Sequence, residues 1–233
     1  MQSAKSSSRR VRRSASETRL RQAVIETALD MSRTGLSPGR SGNVSVRFEG
    51  GMLITPSGMP YDEIKPDDIA FVGTDGRRRE GERKPSSEWQ FHLAALAARK
   101  DRDAIVHTHS TNAVVLACRH EPIPAFHYMV AVAGGTEIPC VPYAVFGSPE
   151  LAENVATGLA EADACLMANH GQIAMGTSLD RALELATEVE TLSAQYVGVL
   201  QLGKPKLLTK RQMNDVLERI KTYGQAAQDA SPK

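Results

Sequence analysis

The chain has 233 residues, 41% of them hydrophobic, which is enough for one domain of generous size with a real core. Its formal charge is +1, but the first 18 residues hold five of the 28 Lys+Arg and one of the 27 Asp+Glu, so the remainder carries 23 basic against 26 acidic residues and gives no case for nucleic-acid binding. The longest apolar runs fall short of the roughly 20 residues that cross a bilayer, and nothing near the start reads as a signal-peptide core, which predicts a soluble protein.

Residues 1–18, rich in Ser and Arg, cannot bury a core and read as a disordered basic extension, with a transit segment or an interaction arm as the other readings. From Thr18 to Thr34, Leu20, Val24, Ala28 and Met31 recur at helical spacing, and Gly35 follows as a stop. "NVSVRF" and "GMLITPSG" predict two strands joined by a tight turn at Glu49-Gly50-Gly51, and "IAFVGTDG" predicts a third. "KPSSEWQFHLAALAARK" predicts an amphipathic helix capped by its serines, with Trp89, Leu93 and Leu96 on one side.

"AIVHTH" then reads as a strand and "STNAVVLACRH" as a helix. A strand and loop follow in "EIPCVPYAVFG", a helix over 149–161, a strand in "DACLMANHG" ending at His170, and a long helix over 179–201. In that last helix Leu183, Ala186, Val189, Leu192 and Tyr196 face inward. Strands thus arrive both as a hairpin and between helices, so the fold class is mixed α/β. The GxGxxG and GxxxxGK[ST] phosphate fingerprints are absent. Cys118, Cys140 and Cys165 are odd in number, lack CxxC spacing and sit among apolar residues, which predicts buried reduced thiols and a cytoplasmic setting.

The chemistry gathers at strand ends. His107 and His109 stand two apart in a strand, so both leave one face, and His170 ends another strand. Three such imidazoles suit Zn²⁺, which in catalytic sites is held by three protein ligands with a fourth position open. His92, His120 and His127 show no such relation and read as structural. The hydroxyl- and amide-rich stretches "SGN" (41–43), "TPSG" (55–58) and "PSSE" (85–88) bring Asn43, Ser57, Gly58, Ser86 and Ser87 as a candidate anion cradle, or else serve as turns and caps. Glu88 at least complements its helix dipole, by about 0.3 to 1 kcal/mol. If the helix start faces the metal, it can also serve as a ligand that carries protons once substrate displaces it.

The motifs "GNVSV", "MLITPSGMPY", "PSSEWQFH", "IVHTHS", "HYMVAVAGG", "IPCVPYAVFG" and "NHG", in this order, resemble the class II sugar-phosphate aldolases of the aldolase, epimerase and adducin-head superfamily. The likeness spans residues 19–224 as one catalytic domain, with 225–233 as a mobile tail. It implies a mostly antiparallel central sheet flanked by helices, and one Zn²⁺ per subunit on His107, His109 and His170, with Glu88 as resting ligand and catalytic acid/base. It also implies a phosphate site of Asn43, Ser57, Gly58, Ser86 and Ser87. Tyr128 corresponds to a tyrosine that reaches a neighbouring subunit's site to handle the aldehyde oxygen, and Tyr223 to a second catalytic tyrosine on the tail; a homotetramer follows.

Where the family commonly has Thr, this chain has Arg40, which either adds a bidentate phosphate contact or points away. The reaction implied is cleavage of a ketose 1-phosphate, L-fuculose 1-phosphate foremost, to dihydroxyacetone phosphate and a small aldehyde. The alternatives on the same fold are a pentulose-5-phosphate 4-epimerase, a methylthioribulose or deoxypentulose 1-phosphate aldolase or dehydratase, and a noncatalytic adducin-like module. The last would have no need of zinc ligands.

Overall fold

A computed structural model describes residues 13–221. Tyr223, the tail from 225 and residues 1–12 of the basic extension lie outside the described residues, whereas Ala15–Thr18, read as part of that disordered extension, form the first turn of a helix capped by Ser14. In chain order the elements are α1 (Ala15–Arg33), β1 (Asn43–Phe48), β2 (Gly51–Ile54), β3 (Ala70–Gly73), α2 (Trp89–Ala98), β4 (Ala104–Thr108), α3 (Thr111–Ala117), a 3-10 turn (Tyr128–Ala133), β5 (Cys140–Val141), α4 (Pro149–Gly158), β6 (Ala164–Met167), β7 (Gly171–Gly176), α5 (Leu179–Leu202) and α6 (Lys210–Ile220).

The strands form one mixed sheet in the order β3-β2-β1-β4-β7-β6-β5, antiparallel throughout except for β5 against β6. Alternation along each strand divides the core in two. Val44, Val46, Ala104, Val106 and Ala174 pack with α1, α3 and α5 on one face. Met52, Ile54, Ile105, Ile173 and Met175 pack with α2 and α4 on the other. In β4, His107 follows Ile105 by two and therefore emerges on the α2 side. Asn43 pairs with His107 across the β1–β4 ladder and Ser45 pairs with Ile105, so both side chains share that face.

Several sequence expectations are corrected. "DACLMANHG" is not one strand ending at His170: β6 stops at Met167, Asn169 adopts a left-handed φ of 54°, and His170 sits in the turn that leads into β7. The expected serine caps are displaced: α2 begins at Trp89 with Glu88 at its N-cap and no side-chain bond from that residue, while Ser86 Oγ accepts the Glu88 N–H at 3.3 Å just ahead of the helix. Phe91, His92, Ala95 and Leu96 form its buried face, while Trp89 and Leu93 are only partly buried. The helix is apolar nearly all round because it lies between the sheet and α4, which blurs any single stripe. In α5, Leu183 is partly buried rather than inward like its companions. Cys118 is exposed and Cys140 intermediate; only Cys165 is buried.

Candidate active site

A strand end, a turn and a helix start converge. His107 and His109 come from the end of β4, His170 from the β6–β7 turn, and Glu88 from the N-cap of α2. Their ligand atoms all lie within 4.8 Å of one another. The three ring centroids are each 4.9 Å apart, with interplanar angles of 71°, 78° and 82°, so the imidazoles stand nearly perpendicular around one point. His107 Nε2 lies 3.1 Å from His109 Nε2 and 3.2 Å from Glu88 Oε2, and His170 Nε2 lies 2.9 Å from Glu88 Oε1.

The donor set fits a divalent metal. Ligand atoms around tetrahedral zinc, with bonds of about 2.0 to 2.1 Å, stand about 3.4 Å apart, close to the separations here. The buried His107 ring donates Nδ1–H to the Gln172 carbonyl at 2.7 Å, which fixes the tautomer and leaves its Nε2 lone pair directed at the cluster. Burial, then the charges of His107 and His170, push His109 down to about 4, so its ring is a neutral ligand near neutral pH. For Glu88, burial alone raises the carboxyl, but the neighbouring charge and hydrogen bonds of His107 and His170 outweigh it and hold it well below the usual carboxylate range.

Beside this cluster is a cavity of about 300 Å³ lined by Glu88, His109, Tyr143, Ala144, Phe146, Asn169 and His170. The sequence reading missed Tyr143 and Phe146. They occupy the irregular segment before α4, where no periodicity marks a function, and both are more than half exposed although large and aromatic.

The anion-cradle residues are partly brought together. An isolated Pro56–Pro85 bridge, with Ser86 N–H donating to the Thr55 carbonyl and Ser57 N–H to that of Lys84, lays the 55–58 and 84–87 stretches side by side. Gly58 has φ +72°, which an L side chain would strain. Ser57, Gly58 and Ser87 are exposed and Ser86 is buried. Arg40 does not point away, since its guanidinium donates to the Gly58 carbonyl at 3.3 Å. Asn43 differs: it is buried, and its amide is bonded to Glu88 and His92 instead of facing the cradle. Tyr128 is 51% exposed and does not line the Glu88 cavity.

The histidines read as structural divide. His127 accepts the Met129 N–H as the cap of the 3-10 turn. His120 bonds Asn169, the neighbour of His170. His92 is fully buried and touches the site through Asn43. Its position four residues after Glu88, one helical turn along the same face, was a usable signal.

A carboxylate among three perpendicular imidazoles, beside an open cavity at the strand ends in the middle of a mostly antiparallel sheet, is the frame of a metal-dependent enzyme. The chain belongs to the class II aldolase and adducin N-terminal domain family, whose model matches residues 22–197. Its relatives place it among the metal-dependent class II sugar-phosphate aldolases, which are lyases. It is 50% identical to an L-fuculose phosphate aldolase of Haemophilus influenzae over 88% of this chain and 95% of that one. It is 48% identical to a 5-methylthioribulose-1-phosphate/5-deoxyribulose-1-phosphate aldolase of Rhodospirillum rubrum over 91% and 96%. A solved L-fuculose 1-phosphate aldolase superposes with a TM-score of 0.85 at 40% identity, covering 90% of this chain and 98% of that one.

Proposed function

We propose that this aldolase uses Zn²⁺ to cleave L-fuculose 1-phosphate to dihydroxyacetone phosphate and L-lactaldehyde. The observation that carries the reading is the cluster of Glu88 with His107, His109 and His170 beside an open cavity, in a chain half identical to a fuculose-phosphate aldolase. Zn²⁺ held by the three histidines supplies Lewis acidity for the charge left when the carbon–carbon bond breaks.

The protein's own groups do the rest. Arg40, Ser57, Gly58, Ser86 and Ser87 hold the phosphate, and that remote binding fixes the reacting carbons against Glu88. Asn43 takes part from beneath, its amide directed at the carboxylate. As the bond between the third and fourth carbons breaks, the hydroxyl on the fourth gives up its proton and becomes the aldehyde. The electron pair of the broken bond stays on the third carbon, delocalised into the adjacent carbonyl, until Glu88, having taken up a proton from solvent once substrate separates it from the histidines, delivers that proton there. Tyr128, reaching across a subunit boundary in a homotetramer, takes up the hydroxyl proton as its own phenolic proton passes to solvent, and its exposure and its absence from the lining of its own chain's cavity support that role. Tyr223 joins from the tail. The cysteines, which form no disulfide, are consistent with a cytoplasmic setting.

The second reading is 5-methylthioribulose 1-phosphate as substrate. It is favoured by the near-equal identity to the Rhodospirillum rubrum enzyme and by the exposed rings of Tyr143 and Phe146 at the cavity, which suit an aldehyde with an apolar tail. Release of dihydroxyacetone phosphate from the two ketose phosphates, with and without a chelator, decides. Chelator-sensitive release with a preference of tenfold or more for fuculose 1-phosphate is the expected result. The reverse preference establishes the second reading, and no release from either, with metal bound, overturns both.

A further inference from the structure

Behind the metal cluster runs a buried chain of hydrogen bonds whose far end, Ser45 and His92, the reaction scheme does not use. Ser45 Oγ lies 2.7 Å from His92 Nδ1, His92 Nε2 bonds Asn43 Oδ1, and Asn43 Nδ2 donates to Glu88 Oε2 at 2.8 Å. Ser45 and His92 are wholly buried, and Asn43 and Glu88 are nearly so. The register explains the assembly: Asn43 and Ser45 stand two apart on the face of β1 toward α2, where His92 meets both, one turn below Glu88.

The chain has one possible direction. The Glu88 carboxylate only accepts, so the Asn43 NH₂ must face it and its carbonyl must face His92. His92 therefore donates from Nε2 and accepts the Ser45 hydroxyl proton at Nδ1. Burial, and secondarily the charge of His107, push His92 down to about 3, consistent with the neutral ring this requires. Were the amide turned over, two oxygens would face each other at Glu88 and no solvent would relieve them.

We propose that His92 is a positioning residue: by holding the Asn43 amide in one orientation, it fixes the Glu88 carboxylate beside the metal-binding histidines and so sets it for proton transfer. The proton-transfer part rests on the role given to Glu88 under the proposed function; the placement of the carboxylate does not.

The test is the visible spectrum of the Co²⁺-substituted protein, which needs no substrate, read alongside kcat and KM. Leu and Gln both have roughly the volume of His, but only Gln can donate to Asn43 Oδ1. His92→Leu is expected to move the Co²⁺ spectrum toward that of Glu88→Gln and to lower kcat about 10-fold or more, with KM within about 3-fold. His92→Gln is expected to restore the spectrum and most of kcat. A wild-type spectrum in His92→Leu, or equal loss in the Leu and Gln variants, overturns the proposal. If His92→Leu does not fold, Asn43→Ala carries the spectroscopic test from the other end of the chain, and an unshifted spectrum there overturns it equally. Should the wild type cleave neither ketose phosphate, the functional reading fails while the Co²⁺ spectra still decide the placement.

Discussion

His92 bears a cost as well as a role. Its ring titrates at about 3 in the fold against an ordinary 6.5, because burial disfavours the imidazolium. Between those values the unfolded chain binds a proton that the folded chain refuses, so stability falls as pH drops, by about 1.4 kcal/mol per pH unit for one such group. Above about pH 6.5 the contribution is constant. The unfolding free energy of wild type minus that of His92→Gln, measured in urea from pH 8 to 5, is therefore expected to be level above pH 6.5 and to fall with about that slope below it. A difference that stays level down to pH 5 would falsify the neutral buried ring. The residue scale is also where sequence reading went furthest. His107 and His109 were legible because strand alternation is a fixed geometry, whereas the direction of the Asn43 amide depends on pairing β1 with β4 and seating α2 on both, which no local pattern encodes.

At the scale of elements, α1 is tied to the sheet edge by a buried ion network. Arg21 is fully buried; it donates to Glu17 at 2.9 Å and to Glu82 at 2.5 Å, and to the carbonyls of Pro66 and Ile69. Arg79 adds a second cation on Glu17 at 2.6 Å, and Glu82 accepts the Phe71 N–H of β3 at 2.6 Å. Replacing such a cluster with apolar residues can be neutral, but removing one partner strands the others. Arg21→Ala leaves Glu17 and Glu82 short of a cation and is expected to destabilise the protein by about 3–5 kcal/mol in urea unfolding, with the metal site unaffected in the folded fraction. Legibility varied among the elements for physical reasons. β7 carries no alternating signal because it is central and every residue in "GQIAMG" is buried, so no strand is expected there, and the expected strand "DACLMANHG" runs β6 on into the turn that holds His170. α6 did carry a signal, a Thr209–Gln212 capping box ahead of Met213, Val216, Leu217 and Ile220 at helical spacing, which the reading passed over.

At the scale of the whole molecule, the cluster around Glu88 is built from one chain, and the role proposed for Tyr128 across a subunit boundary makes assembly testable. Glu88 faces a cavity in which Tyr128 has no part, while Tyr128 stands 51% exposed at the start of a 3-10 turn. If the tyrosine serves the neighbouring subunit, each working site takes its carboxylate from one chain and its phenol from another. Glu88→Gln and Tyr128→Phe each remove a proton-transfer group, so each homo-oligomer is expected to lose about 100-fold or more in kcat. Co-expressed in equal amounts, the two chains place an intact Glu88 beside an intact neighbouring Tyr128 in about a quarter of the sites of a cyclic assembly. Recovery to about a quarter of wild-type activity in the mixed oligomer is the expected outcome, because a tyrosine acting within its own chain would leave every site of the mixture missing one group or the other. Activity that stays at the level of the single variants, in a mixture shown by mass to be mixed, would return Tyr128 to its own subunit and remove the argument for sites shared between chains.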